Sequence, residues 1–190
     1  MKLAFFGGTF DPPHKGHEMI IERCSVLFNQ LLIIPNRISP EKENKPPVSQ
    51  KHRVNMLNII INNNINNNIR IDTFEIDSVS QNYTYLTIKH LIKNYTFSDL
   101  YMIVGEDQLS NLSNWYNMKF ILDNVNLVCF NRFGNMNRNN NIDSNIQYIP
   151  FDYPFSSSEI RGNIRGNIKL KHETINGEVH TYIKDNNLYK

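Results

Sequence analysis

The chain lacks several things at once. Its 190 residues hold one alanine (Ala4), one tryptophan (Trp115) and two cysteines (Cys24 and Cys129). No apolar run approaches the roughly 18 residues that a membrane-spanning helix needs. Two cysteines far apart in apolar surroundings suit a reduced core, not a disulfide framework or a thiolate metal set. The apolar stretch after Lys2 is too short for a secretory h-region, so a cytoplasmic location is the expectation. There is also no excess of charge. Lys+Arg is 20 and Asp+Glu is 18, a net charge of +2. That balance argues against a nucleic-acid or membrane-surface partner. The missing alanines are matched by 30 asparagines, which reads as codon bias of an AT-rich genome and lowers helix propensity throughout.

The length predicts one domain, 1–190, with a real core. Short apolar runs at 2–6, 31–34, 69–72, 100–104, 126–130 and 146–150 read as strands. Helical patterns fall at 15–28, 49–61, 84–95, 113–123, after Ser156–Ser158, and at 178–184. Asn-rich segments at 62–68 and about 134–145 are predicted to be solvated loops, the first a mere spacer. Strands that are apolar on both faces and alternate with helices predict an α/β fold with a mostly parallel sheet and helices on both faces. In such sheets ligands bind beyond the carboxyl ends of the strands, where strand order reverses. That points to residues 7–17 and 105–109.

The first of these segments is GGTFDPPHKGH, 7–17. Gly7 and Gly8 close a buried strand and let backbone amides approach a phosphate. His14 and His17 are three apart at a helix start, where an anion is favoured. Alone, such a pair would merely cap and pack. Behind a strand and a glycine turn it suits attack at phosphorus, where positioning and charge stabilisation do most of the work. No G-K-[ST] follows, so this is not a P-loop, and the spacing without a third ligand is not a zinc helix. A second segment, FSSSEIR at 155–161, places Ser156, Ser157 and Ser158 before a helix and Arg161 one turn in. Hydroxyls there can cap the helix or donate to phosphate, and an arginine fork can grip a polyphosphate.

These two segments resemble the signatures of the HxGH nucleotidyltransferases, which move a nucleoside monophosphate from a triphosphate and release pyrophosphate. Further stretches single out one branch: IIPN (33–36), SPEKENK (39–45), QKHRVNML (50–57), NYTYLTIKHL (82–91), MIVGEDQLSNLSNWYN (102–117) and TYIKDNNLY (181–189). They are similar to the bacterial-type nicotinate-nucleotide adenylyltransferases. The resemblance implies a Rossmann-like nucleotidyltransferase fold and two substrates, ATP and nicotinate mononucleotide, with Mg²⁺ carried on the ATP and room for a homo-oligomer. It implies catalytic roles for His14, His17 and Arg161. ATP would be held by Gly7, Gly8, Thr9, Phe10, Gly105, Asp107 and Ser156–Ser158 with the same three. Lys42, Arg53, Tyr83, Thr84, Trp115, Tyr116 and Arg132 would hold the mononucleotide. Trp115 would stack on the pyridine, and the amides of Tyr83 and Thr84 would meet its carboxylate. Glu41 stands where the family pattern has a histidine. His52, His90, His172 and His180 are expected to be surface or packed residues. Competing readings are another HxGH transferase, such as a pantetheine-phosphate or nicotinamide-nucleotide adenylyltransferase, and a non-catalytic nucleotide sensor.

Overall fold

The computed structural model describes residues 1–37, 48–64, 66–78, 83–131 and 146–190. Its centre is a six-stranded sheet of β1 (Lys2–Gly8), β2 (Gln30–Pro35), β3 (Ile69–Ile71), β4 (Asp99–Gly105), β5 (Asn126–Asn131) and β6 (Ile146–Pro150). All pairs are parallel, in the order β3-β2-β1-β4-β5-β6. The central strands β1, β2, β4 and β5 carry apolar residues that alternate between two buried faces. Ala4, Phe6, Leu31, Ile33, Val128 and Phe130 face one side. There they pack on α1 (Lys15–Leu27), α2 (Gln50–Asn62), α7 (Ser157–Arg165) and α8 (Gly177–Asp185). Leu3, Phe5, Leu32, Ile34, Leu127 and Cys129 face the other, under α4 (Thr84–Asn94) and α6 (Met118–Asn124). Cys24 and Cys129 belong to opposite layers, so they cannot pair, and burial pushes both thiols up to about 12. They are the reduced core residues that their surroundings predict. None of the described helices is long and apolar enough to cross a membrane.

The chain runs outward from β1 to β2 and β3, then returns to the middle and runs the other way through β4 to β6. The order therefore reverses between β1 and β4. Their carboxyl ends, at Gly8 and Gly105, flank a crevice.

Three elements differ from the sequence reading. The helix predicted at 113–123 is shorter: a 3-10 turn (Leu112–Asn114) that follows α5 (Glu106–Asn111) covers its start, and α6 begins only at Met118. Asn117 stands at φ 58°, a left-handed conformation that asparagine tolerates and that stops a continuous helix. A four-residue helix, α3 (Phe74–Asp77), is too short to leave a periodic trace. The segment 62–68 is also more than a spacer. Asn68 donates from Nδ2 to the carbonyls of Ser25 (2.8 Å) and Phe28 (2.9 Å) at the end of α1, and Asn66 Nδ2 reaches Ser25 Oγ at 2.8 Å. Helix ends leave carbonyls without intrahelical partners, and this side chain satisfies two of them. Asn68→Ala is expected to cost about 1–2 kcal/mol. Thermal melting reads this as a fall of roughly 2–4 °C per kcal/mol, with steady-state kinetics unchanged.

Candidate active site

Two cavities open at the reversal point and share Gly7, Gly8, Asn36 and Gln108 in their walls. The larger, about 810 Å³, is lined by Thr9, Phe10, Asp11, His14, Gly16, His17, Gly105, Asp107, Ser156–Ser158 and Arg161. The smaller, about 320 Å³, is lined by Tyr83, Thr84, Trp115, Tyr116 and Glu75.

The two histidines are held by the start of α1. His14 is the N-cap, and its Nδ1 accepts from the His17 amide at 3.4 Å. His17 Nδ1 accepts from the His14 amide at 3.2 Å. The pair forms a reciprocal capping box in which each imidazole does the work of a serine or a glutamate. Capping engages one nitrogen of each ring and leaves the other, so it does not exclude the catalytic role that the resemblance implies. Both Nδ1 lone pairs are used, so each neutral ring carries its proton on Nε2 and offers an N–H donor away from the helix. Burial lowers the His14 pKa to about 4. Burial, and then the neighbouring His14, hold His17 well below the ordinary imidazole value. The rings stack at 3.7 Å, and Tyr153 stacks on the other side of His14 at 5.0 Å. Tyr153 is itself tied to Thr174 O at 2.6 Å. Its ring explains Gly16: a Cβ there would lie 2.5 Å from Tyr153 Cδ1.

The glycine turn carries strain. Phe10 sits at φ 50°, costly for an aromatic residue, and is held there by edge contacts with Phe6 (5.4 Å) and His17 (5.0 Å). A Cβ on Gly8 would lie 3.0 Å from that ring. At Gly105 a Cβ would come 2.7 Å from Asp107 Oδ1, so the carboxylate lies folded over the end of β4. Asp107 is the second residue of α5, whose N-cap is Gly105.

The serine motif docks on the same loop. Ser156 is the N-cap of α7 and accepts from the Glu159 amide at 3.2 Å. Ser157 Oγ donates to Pro12 O at 2.9 Å. Arg161 donates to Asp11 O at 2.5 Å and to Ser158 Oγ at 3.0 Å. Residues 145 and more apart in sequence thus line one cavity.

In the smaller cavity Trp115 is half-buried against the core layer under α4, and Tyr116 lies over the opening, 63% exposed and 5.1 Å from Tyr83. Tyr83 is the N-cap of α4, which has no side-chain cap. The first intrahelical bond runs from Leu86 N to Tyr83 O at 2.9 Å, so the earlier amides of this turn have no acceptor within the helix. Residue types alone do not single out Glu75, Tyr153, Asn36 or Gln108. An acid inside DTFE carries no local signature; only the cavity picks it out. Glu75 accepts from Thr87 Oγ1 at 2.5 Å, and burial pushes its carboxyl up to about 7. The unfolded chain, with a value near 4.5, binds fewer protons than the native state between pH 4.5 and 7. Glu75 therefore lowers stability as pH rises through that window. Glu75→Gln keeps an acceptor for Thr87, so its melting temperature is expected to gain on the wild type from pH 4.5 to 7 and to stay level above.

Arg53 needs correction. It was expected on the mononucleotide, but it lies in α2 only 1% exposed, lines neither cavity, and donates to Thr9 O at 2.6 Å. It props the glycine turn from beneath, and burial lowers its pKa. Lys42, Arg132 and Glu41 fall outside the described residues. His52 contacts Tyr182 Oη, His90 pairs with Asp72, and His172 and His180 are away from both cavities, as expected for surface or packed residues. Lys15 pairs with Glu18 at 2.8 Å.

A cytidylyltransferase-like family model matches residues 5–163. The chain is 32% identical over 194 residues to a Borreliella afzelii protein described as a probable nicotinate-nucleotide adenylyltransferase, covering 100% of this chain and 97% of that one. It is 29% identical to the nicotinate-nucleotide adenylyltransferase of Bacillus subtilis, covering 100% and 98%. Among solved structures, the Plasmodium falciparum nicotinic acid mononucleotide adenylyltransferase complexed with NaAD superimposes with a TM-score of 0.77 at 25% identity, covering 99% and 97%. The chain belongs to the cytidylyltransferase-like family and, within it, to the nicotinate-nucleotide adenylyltransferases.

Proposed function

We propose that this protein transfers the adenylyl group of ATP to nicotinate mononucleotide, giving deamido-NAD and pyrophosphate, as a single nucleotidyltransferase domain in the cytoplasm. One observation carries the reading. An anion-binding cavity and an aromatic cavity meet at Gly7–Gly8, so the two substrates would abut at the glycine turn.

The triphosphate lies over the turn, His14, His17, the start of α7 and Arg161. The adenosine lies towards Gly105 and Asp107. The pyridine stacks on Trp115, and its phosphate points back at the α-phosphorus. That phosphate attacks in line, one P–O bond forms as the bond to pyrophosphate breaks, and the negative charge leaves with the pyrophosphate. No side chain accepts or gives a proton. The Nε2–H groups of the histidines and the guanidinium of Arg161 donate to the oxygens on which charge grows.

Among the described residues no three His, Cys, Asp or Glu side chains gather into a metal site. The donor set fits Mg²⁺ that arrives on the triphosphate, with Glu106 and Asp107 as acids in that cavity wall. When bound, the ion neutralises phosphate charge; the protein's part is to position and to donate.

Pyrophosphate release with a panel of acceptors tests the reading. Nicotinate mononucleotide should support turnover. Phosphopantetheine, and ATP without acceptor, should not. Turnover with phosphopantetheine alone, or with no acceptor in the panel, would overturn it.

A further inference from the structure

The stretch TYIKDNNLY, 181–189, enters neither cavity, yet its last residue is joined to the triphosphate loop. Tyr189 is 7% exposed, and its hydroxyl donates to Asp11 Oδ1 at 2.5 Å across 178 residues of sequence. Asp11 is 1% exposed, and its Oδ2 has no partner among the described residues. The same loop is gripped at two carbonyls: Arg53 holds Thr9 O and Arg161 holds Asp11 O. Two arginines thus hold the backbone between the glycine turn and His14, and Tyr189, beyond the end of α8, holds the side chain of Asp11 in the same stretch.

We propose that Tyr189 is a positioning residue for adenylyl transfer, acting through Asp11. The physical argument rests on the buried carboxylate. Asp11 feels the guanidiniums of Arg161 and Arg53, and the Tyr189 hydroxyl is its short side-chain donor, beside the backbone of Val48. A buried acceptor that loses its donor must find another or move. The nearest rearrangement rotates Asp11 towards Arg161 or Arg53, and either arginine would then release a loop carbonyl. The displaced loop carries His14, so an error made far from the reacting atoms is passed to them. Shifts of about 1 Å at a reacting geometry can cost about 10²-fold in rate.

The inference rests on the reading of 7–17 as the triphosphate loop. In Tyr189→Phe the ring packing stays and only the hydroxyl goes. Its kcat is expected to fall about 10–100-fold, with the KM for nicotinate mononucleotide unchanged within about twofold. Asp11→Asn is expected to fall similarly. The double variant should fall no further than either single one, because both act through one bond. Tyr182→Phe is the control. It loses a hydroxyl of the same kind, which meets Asn55 Nδ2 at 2.9 Å and His52 Nδ1 at 2.8 Å and, among the described residues, no atom of 7–17, and it should shift melting without shifting kcat.

Full kcat in folded Tyr189→Phe would overturn the proposal. So would additive losses in the double variant, or an equal loss of kcat in Tyr182→Phe. A Tyr189→Phe chain that does not fold would mean that the hydroxyl serves the fold alone, which also overturns it. If His17→Ala is inactive while Tyr189→Phe is unimpaired, only this proposal fails. If His17→Ala is fully active, the reading of the loop itself fails.

Discussion

His17→Ala is expected to lower kcat by about 10²–10³-fold, the usual effect of deleting one donor aimed at developing charge. The expectation has a structural complication, since the same ring accepts the His14 amide at 3.2 Å. Alanine would remove a phosphate donor and a helix cap together. His17→Gln separates the two. Glutamine is the ordinary partner in this place of a capping box, so it can take the amide back while lacking the imidazole's reach. Its melting temperature should recover towards wild type while kcat stays low. Recovery of both would mean that His17 only caps. Acid gives a second readout. A second proton on either ring must go to Nδ1, where it removes the acceptor. The native pKa values lie below the unfolded value near 6.5, His14 at about 4. The unfolded chain thus binds more protons in between. The contribution of the pair to stability is complete above about pH 6.5 and is lost as pH falls towards 4. His17→Gln should flatten that acid limb.

The parts legible in the sequence were those whose physics is local. A glycine turn after a buried strand, a capped helix and a serine-rich helix start each keep their parts within a few residues. So the roles of His14, His17, Ser156–Ser158 and Arg161 could be read locally, while their meeting in one cavity was implied by the resemblance to the HxGH nucleotidyltransferases. The strands were legible because residues buried on both faces leave apolar runs with no polar alternation. What was not legible depends on partners far along the chain. The resemblance puts Arg53, which follows β2, on a substrate phosphate, and only packing shows it turned inward to Thr9 O. Asn68 sits in a low-complexity run, and nothing within that run marks the one asparagine that meets the end of α1. Tyr153 and Glu75 have ordinary neighbours in sequence, and become site residues only through a stacked ring and a shared cavity.

The preference for nicotinate over nicotinamide is expected to be at least about 10² in kcat/KM. Stacking on Trp115 cannot produce it, because the acid and the amide share almost the same ring surface. Discrimination has to come from the substituent. The start of α4 faces the smaller cavity, and the N-cap side chain, Tyr83, does not cap its amides. A carboxylate can accept from such donors with both oxygens, in charge-assisted bonds favoured by the helix dipole. The carboxamide fills the same volume but turns an NH₂ towards those donors, leaving polar groups unpaired in a confined site. Main-chain donors also mean that Thr84→Ala should weaken both substrates modestly without reversing their order. Glu75 sets the pH range of the preference. Its carboxyl, pushed up to about 7, is largely neutral below that value and does not repel nicotinate. Above it, an ionised Glu75 in the cavity wall opposes the substrate carboxylate and favours the amide. The ratio of kcat/KM values should therefore narrow as pH rises from 6 to 8 in the wild type and stay flat in Glu75→Gln. Steady-state kinetics with both mononucleotides across that range decide it. Equal efficiencies at pH 6 would remove the deamido preference, and a ratio equally steep in Glu75→Gln would remove Glu75 from its control.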